Sequence, residues 1–192
     1  METLQEKISR VLKDEIVIAD YNPQYPAQFE EIKKAIQEKV PPNFFRRIEH
    51  FGSTAVPGLA AKPIIDVLIE VESLKEADRI LPALFEPDGA DYFWRPSFSD
   101  NIGPWYSWII LRHADGRRQA HLHIVEADFK HHWDRLYFRD YLRLHPEIAE
   151  EYVRLKYDCA RSFRDDRENY TKAKSEFITR ITALAKQELE KN

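Results

Sequence analysis

A carboxylate in the middle of an apolar strand restricts this chain more than any other feature. The run Ile64-Ile65-Asp66-Val67-Leu68-Ile69-Glu70-Val71 is rich in β-branched residues and reads as the clearest strand in the sequence. An ionised group among such neighbours is costly to bury unless a cation or hydrogen-bond donors meet it. The segment just before offers them. A second strand, Phe45 to Phe51, breaks at Gly52, where the missing side chain lets another group approach the backbone closely. Ser53 and Thr54 then present hydroxyls and amide N–H groups, and a polar loop runs from Ser53 to Pro63 with Lys62 near its end. Hydroxyls, loop amides and a lysine together can hold an anion. The plainer alternative is an ordinary Gly-Ser-Thr turn whose amides Asp66 anchors.

The remaining elements place this pair in a mixed α/β (α+β) fold. Residues 1–14 read as a charged leading helix or arm, and Ile16-Val17-Ile18 as a short strand. Phe29, Ile32, Ile36 and Val40 recur at helical spacing and end at Pro41-Pro42. Ser73 with Glu76 forms a capping-box pattern that opens a helix through Leu84. Tyr92 to Trp94 is a further strand, and Trp105–Leu111 and Ala120–Val125 flank Asp115-Gly116 as a hairpin. From residue 128 to 190 the pattern is helical, with Pro146 suited to a first helical turn. The whole, residues 1–192, reads as one domain: a mixed sheet followed by a helical C-terminal third.

Composition removes several function classes. A net charge of −4 gives no strong basic field, so duplex nucleic acid is a poor partner. The single cysteine, Cys159, excludes an internal disulfide and any Cys-rich zinc pattern. No apolar stretch approaches a membrane span and no secretory signal is visible, so the expected compartment is the cytoplasm.

The run His50-Phe51-Gly52-Ser53-Thr54-Ala55-Val56-Pro57-Gly58-Leu59, followed by Lys62-Pro63-Ile64-Ile65-Asp66, resembles the signature of the GrpB family, whose fold is similar to that of nucleotidyltransferases related to polymerase β. The resemblance extends from about Ile16 to Lys186 and includes His121-Leu122-His123 and Tyr170-Thr171-Lys172-Ala173-Lys174. It implies a sheet of nucleotidyltransferase type, a Gly-Ser loop holding nucleotide phosphates, and strand carboxylates at i and i+2 holding two Mg²⁺ or Mn²⁺ ions. Here Asp66 matches the first carboxylate but Leu68 stands at the second position. Glu70 lies on the same face roughly 13 Å along the strand, too far to share an ion.

The expected site is therefore Asp66 with His121 and His123 as catalytic candidates, Asp66 and His123 as metal ligands, and Gly52, Ser53, Thr54, Lys62 and Lys172 around a phosphate. His121 and His123 alternate with Leu122, so they share one face. His131-His132 and Arg117-Arg118 read as solvated, and Trp94, Trp105, Tyr106 and Trp108 as the core of a twisted hairpin. The expected ligand is a nucleotide or another phosphorylated small molecule. Two functions compete: a metal-dependent nucleotidyl or phosphoryl transferase, and an inactive nucleotide-binding or accessory module. Leu68 favours the second.

Overall fold

The apolar strand that begins at Ile65 is an inner strand of the sheet in a computed structural model, which describes residues 4–12, 16–98 and 102–189. The strands are β1 (Arg47–Phe51), β2 (Ile65–Glu70), β3 (Asp91–Phe98), β4 (Ile102–Arg112) and β5 (Arg118–Val125). Helices α1 (Leu4–Leu12) and α2 (Tyr25–Lys39) precede β1, and α3 (Leu74–Phe85) connects β2 to β3. Helices α4 (Lys130–Leu144), α5 (Pro146–Ser162), α6 (Arg167–Lys172) and α7 (Ser175–Leu189) make up the C-terminal third. The five-stranded sheet has the order β1-β2-β5-β4-β3. The β2–β5 pairing is parallel and the other three are antiparallel, so the sheet is mixed as expected.

Alternation along β2 divides the core between the two faces. Ile65, Val67 and Ile69 meet Ile109, Leu122 and Ile124 beneath Phe29, Ile32 and Ile36 of α2 and Ala77, Leu81 and Phe85 of α3. The Ser73 hydroxyl accepts from Glu76 N at 3.3 Å and caps α3, as the capping pattern requires. On the opposite face, Leu68 packs with Phe51, Tyr106, Trp108, Ile110 and Val125 under Val11 of α1, Phe129 just before α4 and Leu136 of α4. A third cluster ties Val56 and Leu59, just after the Gly-Ser-Thr turn, to Tyr141, Tyr152, Phe177 and Ile181 of the C-terminal helices. The helical third therefore packs directly on the loop of interest. Among the described residues no helix is long and apolar enough to cross a membrane.

Four expectations change. Ile16–Ile18 is not a strand: this segment contributes only an isolated bridge, Ala19 with Ala61, because no neighbouring strand lies beside it. His132 is not a surface residue but fully buried among Tyr106, Phe129 and His123, since α4 turns this side toward the sheet. Arg118 is not in a solvated tip; it is buried as the first residue of β5 and donates to Val11 O. The tryptophans divide between faces. Trp108 is buried with Tyr106, whereas Trp94 and Trp105 stack on each other and remain 42% and 39% exposed.

Leu68 has no exposed surface. Leu68→Ala should lower unfolding free energy by about 2–5 kcal/mol in urea denaturation, through lost apolar burial plus a residual cavity. A loss under about 1 kcal/mol would show that this position does not organise the second core.

Candidate functional site

The site begins with a steric constraint. β1 pairs with β2 so that Phe51 stands opposite Asp66, and the next residue, Gly52, turns the chain away with φ +73° and ψ −171°. This backbone region is essentially open to glycine alone. A Cβ at Gly52 would lie 2.4 Å from Asp66 Oδ2 and 3.1 Å from its Cβ and Cγ. The carboxylate therefore sits directly against the glycine backbone. Ser53–Ala55 then form a single 3₁₀ turn, with Ala55 N donating to Gly52 O and Val56 N to Ser53 O.

Thr54 is buried, and its hydroxyl donates to Ile64 O at 3.4 Å. His50 Nε2 lies 3.0 Å from the same oxygen, so Nε2 carries the proton and donates. Burial lowers the His50 pKa to about 4, against a weaker upward pull from Asp66. The ring stacks on Phe29 at 4.8 Å. Thr54 thus holds the turn onto β2, leaving Ser53 as the loop hydroxyl turned toward the other groups of the site.

Asp66 meets its partner across the parallel pairing. His121 stands in register with it, and His121 Nδ1 lies 3.1 Å from Asp66 Oδ1. Arg118 Nη1 is 3.1 Å from the other ring nitrogen. A guanidinium only donates, so Nε2 accepts and Nδ1–H donates to Asp66. Burial lowers the His121 pKa to about 4, with Arg118 and Lys62 adding to the shift and Asp66 opposing it. The ring is neutral near pH 7 and both nitrogens are already engaged.

His123 lies two residues further along the same face, opposite Leu68 rather than Asp66. Its ring stacks on Tyr106 at 5.5 Å and meets the edge of Phe51, while its Nδ1 accepts from Arg135 Nη1 at 3.4 Å. Among the described residues no group of three or more His, Cys, Asp or Glu side chains is placed to hold a metal ion. Mg²⁺ and Mn²⁺ favour several oxygen donors, and the groups around Asp66 are imidazoles and cations. The residues present do not fit a two-metal centre.

Lysines complete the site. Lys156 of α5 is 2% exposed and donates to Ser53 Oγ at 3.3 Å and to Ala60 O. The buried Lys174 donates to Tyr170 O and lies over the Tyr170 ring. Lys62 Nζ lies 5.2 Å from the centroid of that same ring. Burial is the main cause of lowered pKa values in all three, to about 8 for Lys62, about 7 for Lys156 and about 6 for Lys174. Repulsion adds to it: Lys62 acts on both others and Lys156 on Lys174, while Arg167 and Arg118 lower Lys62 and Asp66 opposes them. Lys172, by contrast, is exposed and paired with Glu168 at 2.8 Å on the outside of α6. Asp66 keeps 29% of its side-chain surface exposed beside the lysines.

Sequence reasoning missed Lys156, Arg118 and Arg135. Lys156 had a signal: it occupies the apolar stripe of α5 between Tyr152 and Cys159, at i, i+4 and i+7. A lysine there is either a packed stem or a functional amine. Arg118 and Arg135 had none, because nothing local shows that β5 and α4 face Asp66.

Fold and site together define a mixed α/β protein in which a strand carboxylate and a Gly-Ser-Thr turn are surrounded by cations from the loop, β5 and α5. The GrpB protein family matches residues 15–184, and the chain belongs to that family. It is 28% identical over 174 residues to the glutamate-rich protein GrpB of Alkalihalophilus pseudofirmus, covering 89% of this chain and 96% of that one. It is 34% identical to the UPF0157 protein PA4798 of Pseudomonas aeruginosa, covering 90% and 68% respectively. The crystal structure of conserved protein GrpB from Enterococcus faecalis aligns with a TM-score of 0.76 at 34% identity, over 90% of this chain and 99% of that one.

Two outcomes follow from this geometry. Gly52→Ala should cost at least about 2 kcal/mol in denaturant unfolding, from a left-handed backbone and the collision with Asp66. Adding Asp66→Ala should recover the part due to the carboxylate; equal losses in the single and double variants would refute the contact. Stability should also fall on acidification. The unfolded chain binds more protons than the native one between about pH 6.5 and pH 4, where His50 and His121 remain neutral only when folded. Their contribution is intact above about pH 6.5 and is lost toward pH 4. Histidine NMR titration should show both rings neutral at pH 5.

Proposed function

We propose that this chain binds a phosphorylated small molecule, with a nucleotide as the best-fitting class, and acts as a binding or accessory module. The observation that carries the reading is the lysine cluster. Lys62 lies close enough to Lys156 and Lys174 to lower their pKa values, Lys156 reaches Ser53, and none of the three forms an ion pair with a carboxylate among the described residues, although Asp66 acts on Lys62 from a distance. Partly desolvated amines that touch no carboxylate are stabilised by an anion that returns them to the charged form. A phosphoryl group fits because it offers several acceptor oxygens to ammonium groups, to the Ser53 hydroxyl and to the amides of the turn.

In this arrangement Gly52 and Ser53 supply the floor, the lysines supply charge, and Thr54 keeps the turn in place. Asp66 is the wrong sign for phosphate; its exposed carboxylate suits a ligand hydroxyl donor and holds His121 in one tautomer. His123 lies beyond His121 on β5, and Lys172 serves the outer surface of α6. A second reading, phosphoryl or nucleotidyl transfer, draws on that same carboxylate acting as a base for an acceptor hydroxyl. Leu68, buried where a second carboxylate would be needed, favours binding over two-metal transfer.

Calorimetry with sulfate and adenosine 5′-monophosphate tests the pocket. Sulfate keeps its charge between pH 6 and 9, so any pH dependence reports the protein. Affinity should fall at least tenfold from pH 6 to pH 8.5 as Lys174, Lys156 and Lys62 lose protons in turn. Binding at pH 7.5 should take up protons, visible as a dependence on buffer ionisation enthalpy. Lys156→Met should weaken both ligands about tenfold or more, roughly 1.4 kcal/mol, and EDTA should have no effect. Binding that is indifferent to pH and to Lys156→Met would place the anion elsewhere. Magnesium-dependent pyrophosphate release from nucleoside triphosphates would instead support the transferase.

A further inference from the structure

The same sheet face carries a second pair of cations that no carboxylate among the described residues touches. Arg10 and Arg112 both pair with Asp91, Arg139 with Glu49 and Asp140, and Arg143 with Asp140. Arg95 of β3 and Arg135 of α4 meet no carboxylate among the described residues. Both lie over an aromatic floor instead. Arg95 Cζ is 4.7 Å from the centroid of Trp108 and 5.9 Å from that of Tyr106, and Arg135 Cζ is 5.6 Å from that of Phe51. Arg135 donates to a neutral imidazole, His123, which carries no charge to balance it. Burial is the main influence against the charge on Arg135; Tyr106 and Asp66 favour that charge, and Arg95 is close enough to oppose it. Half-buried like charges facing each other over rings indicate a missing anion more than a stability device.

Topology places this pair relative to the lysines. The Gly-Ser-Thr turn and Lys62 lie at the start of β2, and β5 runs parallel to β2. Arg135 is held at His123, two residues beyond His121, which is roughly 7 Å further along the strands at the usual rise. Lys62 and the turn that Lys156 reaches therefore lie on the opposite side of the Asp66–His121 pair from Arg135.

We propose that Arg95 and Arg135 form a second anion subsite, so that the ligand of this face carries two spaced phosphoryl groups, one at the lysines and one at the arginines. The inference rests on the lysine-pocket reading above and extends it. The second phosphoryl group has two chemical sources: the far end of a 5′-polyphosphate chain, or a different position on the sugar, as in a nucleoside 3′,5′-bisphosphate. Guanidinium suits either, because its planar donors pair with two phosphate oxygens at once.

The test compares adenosine 5′-monophosphate, adenosine 5′-triphosphate and adenosine 3′,5′-bisphosphate by calorimetry, without added metal, on the full chain and on Arg95→Gln, Arg135→Gln and Arg135→Lys. In the wild type, one multiply phosphorylated ligand should bind at least tenfold tighter than the monophosphate, and which one does so identifies the source. Either glutamine variant should erase that advantage while leaving monophosphate affinity within about twofold. Arg135→Lys should restore part of it, which separates charge from packing. If Arg135→Gln fails to fold, Arg95→Gln on the edge strand gives the same reading. The subsite is overturned if neither multiply phosphorylated ligand exceeds the monophosphate, or if its advantage survives both glutamine variants. Monophosphate and sulfate binding that requires Lys156, with no gain from a second phosphoryl group, defeats this inference alone. No binding of sulfate or monophosphate by the wild type defeats the lysine pocket and this subsite together.

Discussion

The close packing of the Asp66 carboxylate against the Gly52 backbone is the contact on which the rest of the site depends. It requires a residue without a Cβ at the end of β1 and a φ that other residues avoid. It also fixes where the chain goes next: into the Ser53–Ala55 turn, held down through Thr54 to Ile64 O and His50. With the turn in place, Val56 and Leu59 form part of the apolar surface on which the C-terminal helices dock. That docking brings Lys156 to Ser53. A local steric fit thus sets the position of a lysine more than a hundred residues away.

The two faces of the sheet carry different kinds of interaction. The face under α2 and α3 is apolar across β2, β5 and β4 and supplies a conventional core. The other face mixes apolar packing around Leu68 with imidazoles held neutral by burial and cations lacking carboxylate partners. Such a face is a poor way to gain stability, because each buried charge must be desolvated. Leu68 matters here in two ways. It completes the apolar part of this face, and as a leucine it adds no charge to offset the neighbouring cations.

Much of the fold was legible along the chain, and for local reasons. The β-branched run of β2, the Ser73 cap of α3, the Asp115-Gly116 hairpin turn and the 3.6-residue periodicity beyond Asp128 each depend on neighbours within a few residues. Ile16–Ile18 failed as a strand because strand formation needs a partner that its own composition cannot supply. His132 and Arg118 were read as solvated because adjacent polar residues on a helix or in a turn look exposed until something packs over them. Gly52, Ser53 and Asp66 were identifiable as one group, since a glycine break and a carboxylate within apolar neighbours are both locally costly.

Sequence alone determined that Asp66 needed a partner and that Gly52 was where the backbone could admit one. Membership of the GrpB family was likewise carried by contiguous residues. Which partner Asp66 takes, which way His121 is protonated, and which cation reaches Ser53 were decided only by the tertiary structure. Lys156, Lys174, Arg118 and Arg135 come from α5, the α6–α7 junction, β5 and α4, and no spacing rule links them to residue 66. Their pKa values are collective properties of burial and mutual repulsion, and these exist only once the helical third has closed on the sheet.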